Sequence, residues 1–209
     1  MKKFCLILTL MLALTVSAAR AEVVGYAGDD GYIHRYACPN GQELYFVSTL
    51  QEPYIEFTDL NGDGTADMTV VTALGASNAW YEFFIWDGDQ YVMAQHSEPI
   101  INYSIQDGYI YSRSNNGMAG AMFDACLLRW EGTELRPVRV MKSEEKSETT
   151  WQENQITTTS WLDICRVRLW NCVQQDEYQE RALLWEKEFA PDDLAIYDEM
   201  DAQLWRGLK

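Results

Sequence analysis

The nine residues Asp59-Leu60-Asn61-Gly62-Asp63-Gly64-Thr65-Ala66-Asp67 put side-chain oxygens at positions one, three, five and nine of a short loop. Position seven, Thr65, adds a backbone carbonyl, and Gly64 at position six permits the sharp turn that wraps a chain around an ion. Hard divalent cations take roughly six to eight oxygen ligands, and three carboxylates supply the neutralising charge. The chemistry this spacing serves is calcium binding, with Asp59, Asn61, Asp63, Thr65 and Asp67 as the candidate ligands. Position twelve, where a helix-flanked calcium loop carries a bidentate glutamate, is Val70. Water or a carboxylate from elsewhere therefore has to complete the shell.

The elements around the loop read as strands. "YIEFT" precedes it and "MTVVTA" follows it, both rich in aromatic and β-branched residues. From Tyr26 to Val140 the chain is punctuated by Asp30-Gly31, Asn40-Gly41, Asp87-Gly88, Asp107-Gly108 and Glu131-Gly132, dipeptides that favour the positive φ of tight hairpin turns. The segments between them, such as "ELYFVSTL" and "WYEFFIWDGDQYVMA", alternate in part. An all-β meander of antiparallel hairpins follows, compatible with a sandwich, a barrel or a small propeller. Residues 22–141 form this β domain. The run "KSEEKSETTWQENQ", residues 142–155, is charged and polar and reads as a linker or exposed loop. Beyond it, residues 156–209 hold a strand in which Cys165, Val167 and Leu169 alternate with Arg166, Arg168 and Trp170. "ERALLWEKEF" fits a helix or a strand and leans to a strand, and Pro191-Asp192-Asp193 opens an amphipathic C-terminal helix with Leu194, Tyr197, Met200 or Asp201, Leu204 and Leu208 on its stripe.

The first 21 residues read as a signal peptide: Lys2 and Lys3, an apolar run from Phe4 to Val16, then Ala19-Arg20-Ala21 as a cleavage site. That apolar run is shorter than the roughly 20 residues of a membrane span. The expectation is export, to a periplasm or to the outside, with no membrane span in the rest of the chain. Cleavage removes three basic residues and no acid, deepening a formal charge that is already −16. Such a charge disfavours nucleic acid and anionic lipid and favours cationic partners or divalent metals. Cys38, Cys126, Cys165 and Cys172 remain, an even count that in an exported chain permits two disulfides in three connectivities. Bonds from each late cysteine to an early one are the favoured pairing. The spacing matches no zinc signature.

The stretch from Ile55 to Val140 resembles the periplasmic lysozyme-inhibitor-like family, which includes inhibitors of invertebrate-type lysozyme and immunity proteins against peptidoglycan hydrolases. The likeness rests on a strand running into Asp-x-Asn-x-Asp-Gly-x-x-Asp, a strand ending in an aromatic-Asp turn at Trp86-Asp87, and a last strand through Trp130-x-Gly132-x-x-Leu135. The nine-residue loop between strands is also similar to the calcium loops of integrin-type propeller blades. The resemblance implies an all-β, calcium-stabilised body with a projecting loop that plugs a hydrolase cleft. Here that loop is "SRSNNGMAGA", with Ser114, Asn115, Asn116, Gly117 and Met118 at its tip, and the partner is a cationic lysozyme or other peptidoglycan hydrolase. The Ser-Gly-x-Tyr motif of such inhibitors is absent. A calcium-stabilised extracellular adhesion, glycan-binding or structural module without inhibitory activity explains the same loop and the many aromatics.

Catalysis finds no constellation. There is no Gly-x-Ser-x-Gly, no His-Glu-x-x-His and no cysteine in a nucleophile signature, so the expectation is a protein that is not an enzyme.

Overall fold

The computed structural model describes residues 20–208 except 153–154 and 176–177, with the backbone alone along the strand segments beside those gaps. Most of the expected signal peptide lies outside the described residues. The chain runs β1 (Glu22–Tyr26), β2 (Tyr32–Ala37), β3 (Glu43–Ser48), β4 (Ile55–Thr58), β5 (Asp67–Leu74), β6 (Ala79–Trp86), β7 (Tyr91–Met93), β8 (Gln95–His96), β9 (Ser104–Gln106), β10 (Tyr109–Gly117), β11 (Met122–Glu131), β12 (Glu134–Gln152), β13 (Gln155–Gln175), β14 (Tyr178–Phe189) and α1 (Ala195–Leu204). Among the described residues it is an all-β, sandwich-like protein with one C-terminal α-helix and no closed barrel.

Three sheets stack, and side-chain alternation explains how. The order β1-β2-β3 makes a small N-terminal sheet, β4-β5-β6-β7 a middle sheet, and β14-β13-β12-β11-β10-β9 a large one. In the middle sheet Met68, Val70 and Phe84 point to Tyr36, Leu44 and Phe46 of the N-terminal sheet. Phe83 and Ile85, one residue out of phase, point instead to Leu128, Leu135 and Val140 of the large sheet. A strand buried on both faces loses the polar alternation of a half-exposed one, which is why "WYEFFIW" is nearly continuous in apolar residues. The far face of the large sheet, with Phe123, Leu127, Met141, Val167 and Leu169, is covered by α1. The helix buries Ile196, Met200 and Leu204, four apart on one face. Leu194, expected on that stripe, precedes the helix and is exposed. Gly31 marks where the N-terminal sheet folds tightly on itself: its φ is +107°, and an added Cβ would meet the Ser48 carbonyl oxygen at 2.4 Å.

The polar run from residue 142 continues a strand instead of linking two units. β12 and β13 pair from Arg139↔Asn171 to Gln152↔Gln155, with a register shift between Glu145 and Lys146. Charge along these strands is matched across them. Arg168 Nη1 donates to Glu144 Oε1 at 2.9 Å, Arg166 Nη2 to Glu188 Oε1 at 2.8 Å, and Lys146 Nζ to Glu188 Oε2 at 3.0 Å. A run of like polarity in sequence is therefore a lattice of opposite charges in space. "ERALLWEKEF" forms β14 against β13, in register Cys165↔Phe189 through Gln175↔Tyr178.

The expected disulfides are absent: Cys38, Cys126, Cys165 and Cys172 stand as thiols. Cys38 packs between the N-terminal and middle sheets and Cys165 in the core under α1. Cys126 and Cys172 border one cluster, but β12 lies between their strands. Two strand spacings are about 9–10 Å, beyond the 4.4–6.8 Å or so between Cα atoms of a disulfide. Purified protein spanning residues 22–209, unfolded without reductant, should expose four titratable thiols. A count of two or none would show that bridges form.

Candidate functional site

Loop 59–67 leaves β4 at Thr58 and enters β5 at Asp67, which face each other in register. Each acid organises backbone amides. Asp59 Oδ1 accepts from Gly62 N at 2.7 Å and Asp63 N at 3.2 Å, and its Oδ2 from Gly64 N at 2.9 Å. Asn61 Oδ1 accepts from Asp63 N at 3.0 Å, and Asp63 Oδ1 from Thr65 N at 2.7 Å. Gly62 and Gly64 take the φ of +80° and +86° that this winding needs. The Thr65 amide, then the Asn61 side chain, hold the exposed Asp63 carboxyl below its ordinary range.

Asp67 differs from the others in being fully buried. Its Oδ2 accepts from Leu60 N and its Oδ1 from Trp86 N, both at 2.9 Å. Leu60 is buried too, and its carbonyl accepts the Trp130 indole N–H at 2.9 Å. One carboxylate thus ties the loop to β6, and the adjoining peptide ties it to β11 of the large sheet. Burial pushes the Asp67 carboxyl up against those two hydrogen bonds, and the charges of Asp63 and Asp59 push it further the same way.

The placing of three carboxylates, Asp59, Asp63 and Asp67, in one nine-residue turn is the observation bearing on a metal. Three hard anions and a side-chain amide share one turn, the donor set calcium takes. Carboxylate oxygens that accept amide hydrogens keep further lone pairs for a cation. Among the described residues no three His, Cys, Asp or Glu side chains converge as a finished metal cluster. The residues fit calcium in kind, as oxygen donors carried on one short loop. Val70, at position twelve, is fully buried between the sheets and supplies no ligand.

The expected partner loop is more tightly held than a projecting tip. Ser114 is buried within β10, where its hydroxyl bonds the Asp124 backbone. Asn115 N–H donates to Asn78 Oδ1 at 2.8 Å, and its carbonyl accepts from Asn78 Nδ2 at 3.1 Å. Asn116 Nδ2 donates to Asp124 Oδ2 at 2.7 Å. Met118 has φ +47° and turns inward, its Sδ 3.7 Å from Cys165 Sγ. Of the five residues only Asn116 and Gly117 are exposed.

Neither histidine sits in a nucleophilic arrangement. His34 is buried, stacked on Phe46 with ring centroids 5.3 Å apart, and burial lowers its pKa. His96 places Nδ1 2.9 Å from the Glu98 carbonyl and Nε2 3.4 Å from Glu82 Oε2. Both neighbours are acceptors, so only the doubly protonated ring satisfies both. The Glu82 hydrogen bond accordingly raises the His96 pKa against the opposing effect of burial. Sequence spacing pointed to neither this pair nor the Trp130 anchor, because their partners lie on separate strands.

Comparison with family models, curated proteins and solved structures returns no match.

Asp67→Asn turns one acceptor into a donor facing an amide and should lose about 1–3 kcal/mol in urea unfolding in the absence of calcium. A folded-state pKa raised above the unfolded value makes the His96–Glu82 pair stabilising below the unfolded pKa, with the contribution lost as pH rises through the folded one. Glu82→Gln should therefore lower Tm at about pH 5.5 and have a shrinking effect toward about pH 9. An equal loss at both values would show that the pair acts through packing alone.

Proposed function

We propose that this chain is an exported, calcium-stabilised β protein that docks on and inhibits a cationic peptidoglycan hydrolase. The observation that carries the calcium part is the spacing of Asp59, Asn61, Asp63, Thr65 and Asp67 as oxygen donors in one loop whose hydrogen bonds join the middle and large sheets. The side chains of Asp59, Asn61, Asp63 and Asp67 and the Thr65 carbonyl would hold the ion. Bound calcium supplies the positive charge that offsets three neighbouring carboxylates. With the ion in place, the amide bonds that fix the loop act together with the ligands and hold the end of β4 against β5.

The partner assignment draws on charge and on the likeness of residues 55–140 to lysozyme-inhibitor proteins. A chain with a formal charge of −16 attracts a basic enzyme at long range and speeds encounter. A glycan-binding module is the second reading, favoured by exposed rings such as Tyr26, Tyr54 and Phe57. Ionic strength separates the two, since charge-steered association slows in salt and uncharged stacking does not.

Calcium should raise the melting temperature of residues 22–209, with a gain of about 2.7 kcal/mol at a hundredfold excess over its dissociation constant. Asp63→Ala should abolish that gain while leaving the metal-free stability nearly intact, because Asp63 is exposed. A gain that survives the substitution would place the ion elsewhere. For the partner, purified peptidoglycan would be cleared by a panel of lysozymes and bacterial hydrolases, with and without the protein, in calcium and after chelation. Inhibition lost on chelation is the expected outcome, and no inhibition of any panel member would favour the glycan-binding or structural module.

A further inference from the structure

The sandwich opens where two sheet edges meet. β4 is the edge of the middle sheet and β9 the edge of the large one. Between them lies a groove of about 520 Å³ lined by Glu56, Phe57, Thr58, Tyr81, Tyr103 and Ile105. Strand register builds it: Glu56 pairs with Thr69 and Thr69 with Phe83, so these three share the face on which Tyr103 lies. Tyr103 packs edge-on to Tyr81 at 4.8 Å and to Phe83 at 4.9 Å between centroids, and its hydroxyl is 3.4 Å from Thr69 Oγ1. The Tyr54 hydroxyl donates to Glu56 Oε1 at 2.9 Å and steadies the carboxylate at the groove.

Two observations say what such a groove takes. Burial raises the phenol pKa of Tyr81 and of Tyr103, and the charge of Glu56 adds to the rise in both, so the carboxylate's field reaches both hydroxyls. The second is the composition of the whole region: residues 36–112, which run from the end of β2 into the first four residues of β10, contain eleven acids and no lysine or arginine. Among the described residues Glu43 is neutralised by Arg35 and Glu98 by Arg181, both from outside that stretch, whereas Glu56 has no cation in ion-pair range. An aromatic floor with a carboxylate that has no ion pair, in a region rich in acids, attracts a positive group through charge and through the ring faces. A neutral sugar gains nothing from that field. A planar guanidinium suits the site best, since it stacks on tyrosine and keeps N–H groups free for the carboxylate.

We propose that the groove between β4 and β9 is the receptor for an arginine side chain on a basic protein partner, with Tyr81 and Tyr103 as its floor and Glu56 as its anion. The nature of that partner rests on the reading given above, but the groove is testable without any hydrolase. The protein, residues 22–209, would be titrated with Nα-acetyl-arginine amide and, separately, with the isosteric neutral citrulline compound and a tetramer of N-acetylglucosamine. Binding would be followed through the tyrosine ring resonances by NMR.

The expected result is a saturable shift confined to Tyr81, Tyr103 and their neighbours with the arginine compound. Affinity should fall about tenfold with citrulline and about tenfold in Glu56→Gln, and it should weaken further as salt is raised. Glu56 is exposed, so the variant should keep its fold, and unchanged spectra away from the groove would verify that. Tyr103→Leu, which keeps bulk but removes the ring, should also lose binding. Equal binding of arginine and citrulline compounds, no saturable shift, or salt-independent binding of the sugar unaffected by Glu56→Gln would each overturn the proposal. Arginine binding without inhibition of any hydrolase would keep the groove and reject the inhibitor. Hydrolase inhibition equal in wild type and Glu56→Gln, without arginine binding, would do the reverse.

Discussion

The buried carboxylate of Asp67 is the constraint on which the relation between the sheets depends. A charge removed from water is tolerated only where hydrogen bonds replace its hydration. Here two amides do so, one from its own loop and one from β6. Leu60, whose N–H serves Asp67, turns its carbonyl to Trp130 of β11. Charge-assisted bonds of this kind contribute about 1.5–3 kcal/mol each, whereas an orphaned buried carboxylate is costlier still. The arrangement therefore tolerates little adjustment: the loop and β6 either meet at this point or leave a charge unsatisfied, and β11 is held to the same loop through the Leu60 carbonyl.

Stacking follows from the same point. With β5 and β6 fixed against β11, consecutive residues Phe83 and Phe84 serve opposite cores, one toward the large sheet and one toward the N-terminal sheet. The N-terminal sheet adds its own ties, including the Gln42 side chain, which exchanges two 2.7 Å hydrogen bonds with the backbone of Tyr91. The middle sheet carries both interfaces, so its strands are apolar on both faces and its polar chemistry is displaced to the ends: the loop at 59–67 and the groove beside β4.

These divisions govern what the sequence made legible. The five Asp-Gly, Asn-Gly and Glu-Gly turns all have positive φ at glycine, since that conformation is a local demand. The alternation of Cys165, Val167 and Leu169 with Arg166, Arg168 and Trp170 also survives into the fold. What composition obscured was pairing between distant strands. Residues 142–152 look like a linker until Arg166, Arg168 and Glu188 are set beside them. Cysteine counting suggested bridges because number is visible in a sequence and the strand between Cys126 and Cys172 is not. For the loop, spacing indicated four acids and amides of equal standing, but their surroundings divide them, with Asp67 a buried strut and Asp63 an exposed end. Glu56 and Tyr103 are 47 positions apart, and nothing local announces their meeting.

Charge is partitioned as sharply as apolar surface. The cations gather on β11 to β14 and are matched there: Arg129 and Arg136 with Glu131, Arg168 with Glu144, Arg166 with Glu188, Lys187 with Glu199. Arg113 lies over the Phe123 ring, 4.2 Å from its centroid. The excess of acid is left to the middle sheet, where loop and groove adjoin, Thr58 lining the groove and Asp59 opening the loop. In the proposed scheme a calcium ion in the loop and an arginine in the groove then act on one another in two opposed ways. The ion's charge offsets part of the field that draws the arginine, an effect screened beyond about 8 Å at physiological salt. The ion would also fix the end of β4, and with it the carboxylate of Glu56, an effect carried by the backbone that salt would not screen. Linkage requires each ligand to change the other's affinity by the same factor. Rising ionic strength weakens only the repulsive part, so the balance between the two sites shifts toward mutual support as salt increases.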